Sequence, residues 1–164
     1  DRYELLFNGR PFAKYISIDE LKSTVGKKEI PELMIMEYLE GVELKIDPVL
    51  QDGEMLTCSV KNRLNFASGL AMGFEMIEDN EAINYARSLL KHLPMDYCID
   101  ISTRGGVLME INPRVSTYIY SENYCAPYLA LKLAMGEMSA DETKDYQTNL
   151  PIGKKMFRYY GQID

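Results

Sequence analysis

The sequence is short of several features that mark particular classes of protein. No run of 18 apolar residues occurs in its 164 residues, so no segment is expected to cross a bilayer as a helix. It has no basic stretch followed by an apolar one near its start, so we expect no secretory signal. The 3 cysteines are far apart and odd in number, which is typical of a reducing, cytoplasmic compartment and not of a disulfide framework.

Positive charge is also in short supply. There are 18 Lys and Arg residues against 25 Asp and Glu, for a net charge of -7. Because a nucleic-acid-binding face is basic, this balance argues against DNA or RNA as the main partner. The net charge does not exclude nucleotides as ligands, since bound cations can neutralise their phosphates. The hydrophobic fraction of 46% and the charged fraction of 26% are typical of a single globular domain.

Cap and turn residues divide the chain into short elements. Ser17 is a suitable N-cap for a helix that ends near Gly26. The apolar run at residues 33–38 predicts a buried strand. Asp52-Gly53 predicts a hairpin turn between two further strands, and Pro48 predicts that the first of them bends or lies at an edge.

The remaining pattern predicts a helix at residues 78–93 capped by Asp79 or Asn80, a hairpin around Gly105-Gly106, a helix at residues 126–136 closed by Gly136, a solvated loop at residues 141–149 and a strand at residues 154–160. The order of hairpin, helix, hairpin, helix and strand indicates an α+β fold with a largely antiparallel sheet backed by helices.

The strand sequence VLMEIN begins apolar and ends polar. Glu110 and Asn112 are two residues apart and share a face, on which alternation also places Leu108, while the other apolar residues pack behind. If the preceding turn has three residues, Asp100 on the partner strand lies directly opposite Glu110. The turn type is not fixed by the sequence.

Facing carboxylates repel, at a cost of about 0.2–1 kcal/mol when solvated, unless a cation binds between them. Asp100, Glu110 and Asn112 offer only hard oxygen ligands, which suit Mg²⁺ or Mn²⁺ and are poor for Zn²⁺. The alternative is a pair of solvated strand-end acids with a turn before Pro113. Spacing alone supports both interpretations equally.

A second set of polar residues lies earlier in the chain. Glu37 ends the apolar run, and Glu43, Lys45 and Asp47 line one face of the strand that follows Gly41. For a single alternating strand, the ordinary interpretation is a side that faces solvent.

The segments MEYLEGVELKID, KNRLNFASGL, CIDIS and LMEINPRVS occur in an order and at spacings that resemble the ATP-grasp superfamily. The likeness is strongest to the carbamoyl-phosphate-synthase-like branch of ATP-dependent carboxylate–amine ligases. It implies the carboxy-terminal ATP-grasp lobe, with residues 1–38 as the tail of the small lobe and hinge strand, and residues 39–164 as the lobe that carries the nucleotide and Mg²⁺ site.

The resemblance implies nucleotide-binding roles on the first hairpin. Glu37 matches the hinge residue that receives the adenine amino group, and the backbone of Tyr38 and Leu39 would complete that contact. Glu43 matches the acid that binds the ribose hydroxyls. Asp47 matches the acid that follows it on the same strand.

The resemblance also assigns residues to the binding and transfer of the phosphates. Asp100, Glu110 and Asn112 match Mg²⁺ ligands that bridge the nucleotide phosphates, and Arg114 matches the cation near the γ-phosphate and the nascent acyl phosphate. Lys61 and Arg63 match positions at which related proteins carry bases that face the phosphates or the substrate. The implied reaction transfers a phosphoryl group from ATP to a small-molecule carboxylate, and an amine or ammonia then attacks the acyl phosphate.

The chain departs from the family pattern before residue 33, where the lysines and Gly-rich loop that clamp the triphosphate have no match. Ser116 and Thr117 also stand where a glycine is common. Since the chain starts at Asp1 without methionine, we expect a part of a longer polypeptide whose amino-terminal lobes are partners of this one. We therefore expect weak nucleotide binding and little turnover.

Three alternatives concern function and assembly. A non-catalytic nucleotide-binding or regulatory module would keep the ligand and lose the reaction. A purely structural domain would bind neither nucleotide nor metal. The edges of an antiparallel sheet would also allow a homodimer, although no pattern in the sequence demonstrates one.

Overall fold

The computed structural model describes residues 2–7, 16–26, 28–67, 70–118 and 120–158. Within these ranges the elements are α1 (Arg2–Phe7), α2 (Ile18–Val25), β1 (Glu43–Gln51), β2 (Glu54–Ala67), β3 (Leu70–Ile77), α3 (Asn80–Leu90), β4 (Tyr97–Cys98), β5 (Asp100–Arg104), β6 (Val107–Asn112), α4 (Ala126–Ala134), α5 (Ala140–Asp145), a 3-10 turn (Tyr146–Asn149) and β7 (Lys155–Phe157). No helix among the described residues is long and apolar enough to cross a membrane.

The chain divides into two compact units. The first comprises Asp1–Tyr38 and Asn65–Met72, and the second comprises Leu39–Leu64 and Gly73–Asp164. In the first unit, α2 begins as predicted, since the Ser17 hydroxyl accepts a hydrogen bond from the Glu20 amide at 3.1 Å. It ends at Gly26, whose φ of 58° favours glycine.

The prediction of a buried strand at residues 33–38 is wrong. This segment has no regular structure, and Met34 and Ile35 are 83% and 96% exposed. A strand is stable when its backbone groups pair with a neighbour and one face is covered. The sheet of the described residues has no strand paired with this segment, so its hydrophobicity alone does not produce one.

The sheet confirms the predicted α+β class. Its strand order is β6-β5-β1-β2-β3-β7, with β4 also paired to β1, and each described pairing is antiparallel. The β1–β2 hairpin turns at Asp52 and Gly53, as predicted, and both have a positive φ, at 51° and 77°. Such values are typical of the type I′ turns that Asp-Gly favours.

Pro48 lies in a central strand, because β1 has β2 on one side and β5 on the other. Pairing of β1 with β5 ends at Ile46, and pairing with β4 begins at Val49. The missing N–H of Pro48 thus falls where the ladder is interrupted. The predicted irregularity takes the form of a bulge between Val49 and Leu50, and not of an edge strand.

The β5–β6 hairpin differs from the predicted register. Its turn is Gly105-Gly106, and the ladder pairs Asp100 with Asn112 and Ser102 with Glu110 before shifting near the turn. The expected placement of Asp100 directly opposite Glu110 is therefore wrong. Two glycines with positive φ form a tighter turn than the three-residue one assumed, and a bulge absorbs the odd residue.

The same bulge changes which side chains of β6 reach the core. Leu108 and Ile111 both pack against the core on the α3 side, while Val107 and Met109 are 49% and 41% exposed. Strict alternation predicted that Leu108 shares a face with Glu110, and this prediction is wrong. The ladder passes from Glu110 to Leu108 on consecutive partners, so Met109 is the bulged residue.

Helices cover both faces of the sheet. On one face, α3 contributes to a core cluster of Ile46, Leu50, Cys58, Val60, Ala82, Ala86, Leu90, Ile99 and Ile101. On the other, α4 contributes to a cluster of Val49, Leu56, Tyr124, Ala126, Leu129, Ala130 and Leu133. The predicted caps are confirmed, because Asp79 accepts from the Ala82 amide at 2.9 Å and Gly136 closes α4 at a φ of 68°.

The predicted loop at residues 141–149 is instead helical. It contains α5 and the 3-10 turn, and Ser139 and Glu142 form a reciprocal capping box at the start of α5. The Ser-x-x-Glu spacing that produces this box was present in the sequence. The strand at residues 154–160 is confirmed for Lys155–Phe157, while residues 159–160 lie outside the described residues.

Candidate functional site

One face of the central strands is polar although much of it is buried. We call this surface the polar face. Its members are Glu43, Lys45 and Asp47 on β1, Lys61 and Arg63 on β2, Asp100, Ser102 and Arg104 on β5, and Glu110 and Asn112 on β6. Glu43 is 6% exposed, Asp47 2% and Lys61 0%. The structure therefore does not support the ordinary interpretation of a strand side that faces solvent.

At one end of the polar face, two arginines hold Glu43. Its Oε1 accepts from Arg63 Nη1, and its Oε2 accepts from Arg104 Nη2 at 2.8 Å. The predicted ribose-binding acid and one predicted phosphate-directed base are thus paired with each other. Sequence analysis missed Arg104, although it is the residue directly opposite Glu43 in the β1–β5 ladder.

The predicted metal ligands converge at the centre of the polar face, and a lysine lies between them. Lys45 Nζ is 3.2 Å from Asp100 Oδ1 and 3.3 Å from Glu110 Oε1, and it donates a hydrogen bond to Ser102 Oγ. Asn112 Nδ2 lies 3.5 Å from Asp100 Oδ2. Alternation placed Lys45 on this face, but the sequence did not show that it would reach two neighbouring strands.

Arg114 lies just beyond the end of β6 and faces the same group. Its Nη1 is 3.3 Å from Asp100 Oδ2 and donates to the Val115 carbonyl at 3.0 Å. The guanidinium side chain is 58% exposed, whereas Asp100 is 3% exposed at its side chain. Arg114 can therefore contact a ligand while it remains beside the buried carboxylate.

The surroundings of Glu110 favour its ionised form. Partial burial raises the pKa of this carboxyl, but hydrogen bonding with Asn112 and the nearby Lys45 ammonium together outweigh burial, and the net pKa is lowered. Ser102 Oγ also donates to Glu110 Oε1 at 3.2 Å. Glu110 thus offers a negative charge to a cation near neutral pH.

At the other end of the polar face, Asp47 and Lys61 form a pair that is closed to solvent. Lys61 Nζ is 2.7 Å from Asp47 Oδ2 and donates to Ser116 Oγ at 3.1 Å and to the Thr117 carbonyl at 2.5 Å. Burial raises the pKa of Asp47, and the Lys61 ammonium offsets part of that increase. Lys61 thus connects β2 to the segment after Arg114, and a phosphate-directed role would require it to leave these partners.

The predicted adenine contacts lie in the stretch that precedes β1. Glu37 and Tyr38 are exposed and belong to the first compact unit, and Leu39 is half-buried and begins the second. All three lie in backbone without regular structure. Their roles stay predictions.

The oxygen donors of the polar face resemble a Mg²⁺ site only in part. No group of three or more His, Cys, Asp or Glu side chains is arranged to hold a metal within the described ranges. Mg²⁺, however, commonly binds through one or two carboxylates together with substrate phosphates and water. Asp100 and Glu110 already converge on one cation, and the buried Asp100 Oδ1 has no hydrogen bond among the described residues. The residues therefore fit a cation that binds together with phosphates.

Comparison with known proteins adds one match. The model of a family described as "ATP-grasp in the biosynthetic pathway with Ter operon" matches residues 29–154. This range includes every member of the polar face and both helices that pack on the sheet. A search of curated proteins gave no match.

Proposed function

The chain belongs to the ATP-grasp family described as acting in the biosynthetic pathway with the Ter operon, and from this premise we propose that it is the ATP- and Mg²⁺-binding part of a ligase that activates a carboxylate. Membership indicates an ATP-dependent, ligase-type function in a biosynthetic pathway. The observation that best supports the finer proposal is the convergence of Asp100 and Glu110 on a single cation beside Arg114.

In the proposed reaction, an oxygen of the substrate carboxylate attacks the γ-phosphorus of ATP, the bond to the bridging oxygen breaks, and ADP leaves. An amine or ammonia then attacks the acyl carbon, inorganic phosphate leaves, and the nitrogen loses a proton. Asp100, Glu110 and Asn112 would hold Mg²⁺, which neutralises phosphate charge. Such catalysis rests on positioning and on charge neutralisation more than on covalent participation by the protein.

The residues of this chain would divide the work by position. Arg114, exposed beside Asp100, would contact the transferred phosphoryl group and the acyl phosphate. Glu43 would bind the ribose hydroxyls, held in place by Arg63 and Arg104. Lys61, which anchors Ser116 and the Thr117 carbonyl, would fix the segment that follows Arg114. In this proposal Lys61 is a positioning residue and not a phosphate ligand.

We assign the chain to the carbamoyl-phosphate-synthase-like branch, on the strength of its Glu-x-Asn-Pro-Arg segment at residues 110–114. Residues 1–38 would belong to the small lobe and hinge, and residues 39–164 to the carboxy-terminal lobe, with the remaining lobes of a longer chain as partners. The substrates would be a small carboxylate and an amine. The 3 free thiols favour a reducing, cytoplasmic compartment.

Calorimetry with Mg-ATP tests the proposed site. We expect the unsubstituted chain to bind weakly, and a variant that combines Glu110→Ala with Asn112→Ala to lose the binding heat. Glu137→Ala, just after the end of α4, is the matched control, since it removes a carboxylate paired only with Lys132 in the described contacts. Equal or absent heats in the unsubstituted and double-substituted proteins would contradict the proposed site.

A second candidate is a nucleotide-binding module without catalysis, and the Lys45 ammonium at the proposed metal position favours it. Phosphate release from ATP separates the two candidates. A module without catalysis releases none in the presence of the remaining lobes and substrates, whereas the ligase does. For the chain alone we expect turnover far below the roughly 1–100 s⁻¹ typical of phosphoryl-transfer enzymes such as kinases.

A further inference from the structure

Lys45 occupies the place that the proposed function assigns to a divalent cation. Its Nζ lies 3.2 Å from Asp100 Oδ1 and 3.3 Å from Glu110 Oε1, and its side chain is only 12% exposed. Resting on the proposed function, we infer that Lys45 is a further residue of the nucleotide site. Its ammonium holds the cation position until a divalent cation arrives with nucleotide phosphates, so that the metal alone binds poorly.

Charge balance supports this inference. Asp100 and Glu110 carry two negative charges, and Lys45 and Arg114 carry two positive charges within 3.3 Å of them. The group is therefore neutral without a ligand. A divalent cation added on its own would leave two uncompensated positive charges beside the buried Asp100, which is unfavourable in a poorly solvated site. Nucleotide phosphates bring the negative charge that the metal needs.

The ammonium and a metal ion would compete for the same oxygens. Mg²⁺ binds oxygen at about 2.0–2.1 Å. An ion bound to Asp100 Oδ1 and Glu110 Oε1 would take the same two oxygen atoms that Lys45 Nζ now contacts, and two cations that share these partners repel each other. Lys45 must therefore leave the two carboxylates when the metal binds. A lysine suits this exchange, because its ammonium is a point charge on a flexible four-carbon stem.

The test measures binding of Mn²⁺ without nucleotide, by the decrease of the free-ion electron paramagnetic resonance signal. We expect Lys45→Met to bind Mn²⁺ at least about tenfold more tightly than the unsubstituted chain, because the competing ammonium is removed. A tenfold change in affinity corresponds to about 1.4 kcal/mol. Lys155→Met is the matched control. It removes the same charge from β7, at the other edge of the sheet, where Lys155 lies 3.9 Å from Glu75. Equal Mn²⁺ affinity in Lys45→Met and the unsubstituted chain would overturn the inference.

Thermal unfolding distinguishes a change in Mn²⁺ affinity from a general loss of folding in the variant. Without metal, Lys45→Met should have a lower melting temperature, because Asp100 and Glu110 lose their shared cation, and Mn²⁺ should restore it. A second variant that adds Glu110→Gln should recover stability without metal and lose the gain in Mn²⁺ affinity. If that second variant binds Mn²⁺ as tightly as Lys45→Met does, the ion binds elsewhere and the inference is wrong.

These measurements separate the inference from the proposed function. If Mg-ATP binding depends on Glu110 and Asn112 but Lys45→Met gains no affinity for free Mn²⁺, then Lys45 is not the competing cation and the function stands. If no variant binds Mn²⁺ or Mg-ATP at millimolar concentrations, the proposed function fails, and the inference fails with it.

Discussion

The ion pair of Asp47 and Lys61 is the most buried charged feature among the described residues. The two side chains are 3% and 0% exposed, and Lys61 has two further partners at Ser116 and Thr117. Such a pair adds little net stability over an apolar pair of the same volume, but removing one member leaves an uncompensated buried charge. The pair is therefore a sensitive point of the fold.

We predict that Lys61→Met lowers the free energy of unfolding by about 3–5 kcal/mol near neutral pH. Urea titrations followed by circular dichroism at several pH values would measure it. Lys155→Met, which removes an exposed lysine from β7, should change stability by less than about 1 kcal/mol.

The loss in Lys61→Met should depend on pH with a definite sign. Burial already raises the folded-state pKa of Asp47, and Lys61 opposes that increase. A carboxyl with a raised folded pKa binds more protons folded than unfolded, so its contribution to stability falls as pH rises through that range. The deficit should therefore shrink as pH falls through the raised pKa toward the ordinary value of 3.8. A deficit that is constant with pH would contradict this assignment.

At this scale, the sequence predicts which residues lie near one another better than it predicts their contacts. One motif and its neighbouring hairpin point to Asp100, Glu110, Asn112 and Arg114, and the structure brings these residues together. The partners of Lys61 could not be foreseen in the same way, because Ser116 is 55 positions away along the chain. Local spacing determines which face a side chain takes, whereas long-range contacts also depend on how the loops close over that face.

At the scale of elements, the entry to β1 and the turn between β5 and β6 are in close contact. A Cβ on Gly105 would lie 2.3 Å from the Glu40 carbonyl oxygen, and one on Gly41 would lie 2.9 Å from the Gly105 Cα. The Gly105 amide also donates to the Val42 carbonyl at 3.0 Å. The two segments can approach this closely only because both positions are glycine.

We predict that Gly105→Ala destabilises the protein by about 2–4 kcal/mol, because it combines a steric clash with a φ of 56° that L residues rarely adopt. Gly106→Ala is the matched control. Its φ is 80°, but a Cβ there would have no neighbour within 4 Å, so only backbone strain of about 1 kcal/mol is expected. Thermal or urea unfolding of both variants would measure the difference, and equal losses would argue against the close contact.

Elements with a strong local signal were predicted well. The Asp-Gly turn, the Asp79 cap and the Gly136 stop each satisfy backbone groups within a few residues, so sequence alone was sufficient. The register of β5–β6 was predicted wrongly, because the same sequence is compatible with a two-residue turn followed by a bulge and with a three-residue turn. The strand predicted at residues 33–38 was wrong for a different reason. A strand also depends on a paired neighbour, which the local sequence does not specify.

At the scale of the whole molecule, solvent exposure varies strongly along the described residues. The second unit contains both core clusters on the two sides of the sheet. The stretch at residues 28–42 has no strand or helix, and nearly all of its residues are exposed. Backbone that is exposed and outside regular structure is the preferred site of proteolytic cleavage.

We predict that limited thermolysin digestion cuts first within residues 28–42. The product should be a fragment that starts in this stretch, resists further cleavage and retains the far-ultraviolet circular dichroism of a folded sheet. Mass spectrometry of a time course would identify the first cut. First cleavage within β1 or β5 would contradict the assignment of these strands to the protected part of the molecule.

The overall class was predictable because hairpins and helices alternate in an order that few folds accommodate. The assembly of the polar face required the structure, since its residues come from four strands. What no alternation pattern could show is that this face is largely buried while it remains charged. Burial there depends on the segment after β6 and on neighbouring strands, and not on the composition of β1.

The polar face also affects how sequences of this kind can change over time. Ion pairs that are closed to solvent are often replaced by aliphatic residues at no cost in stability, or with a gain of about 1–4 kcal/mol. Mutational drift without selection for a ligand would therefore remove Asp47 and Lys61 while it preserves Ile46 and Val60 behind them. If Asp47 and Lys61 stay charged in divergent descendants, their retention would indicate continued selection for the site. Selection for heat resistance alone would favour their replacement by aliphatic residues.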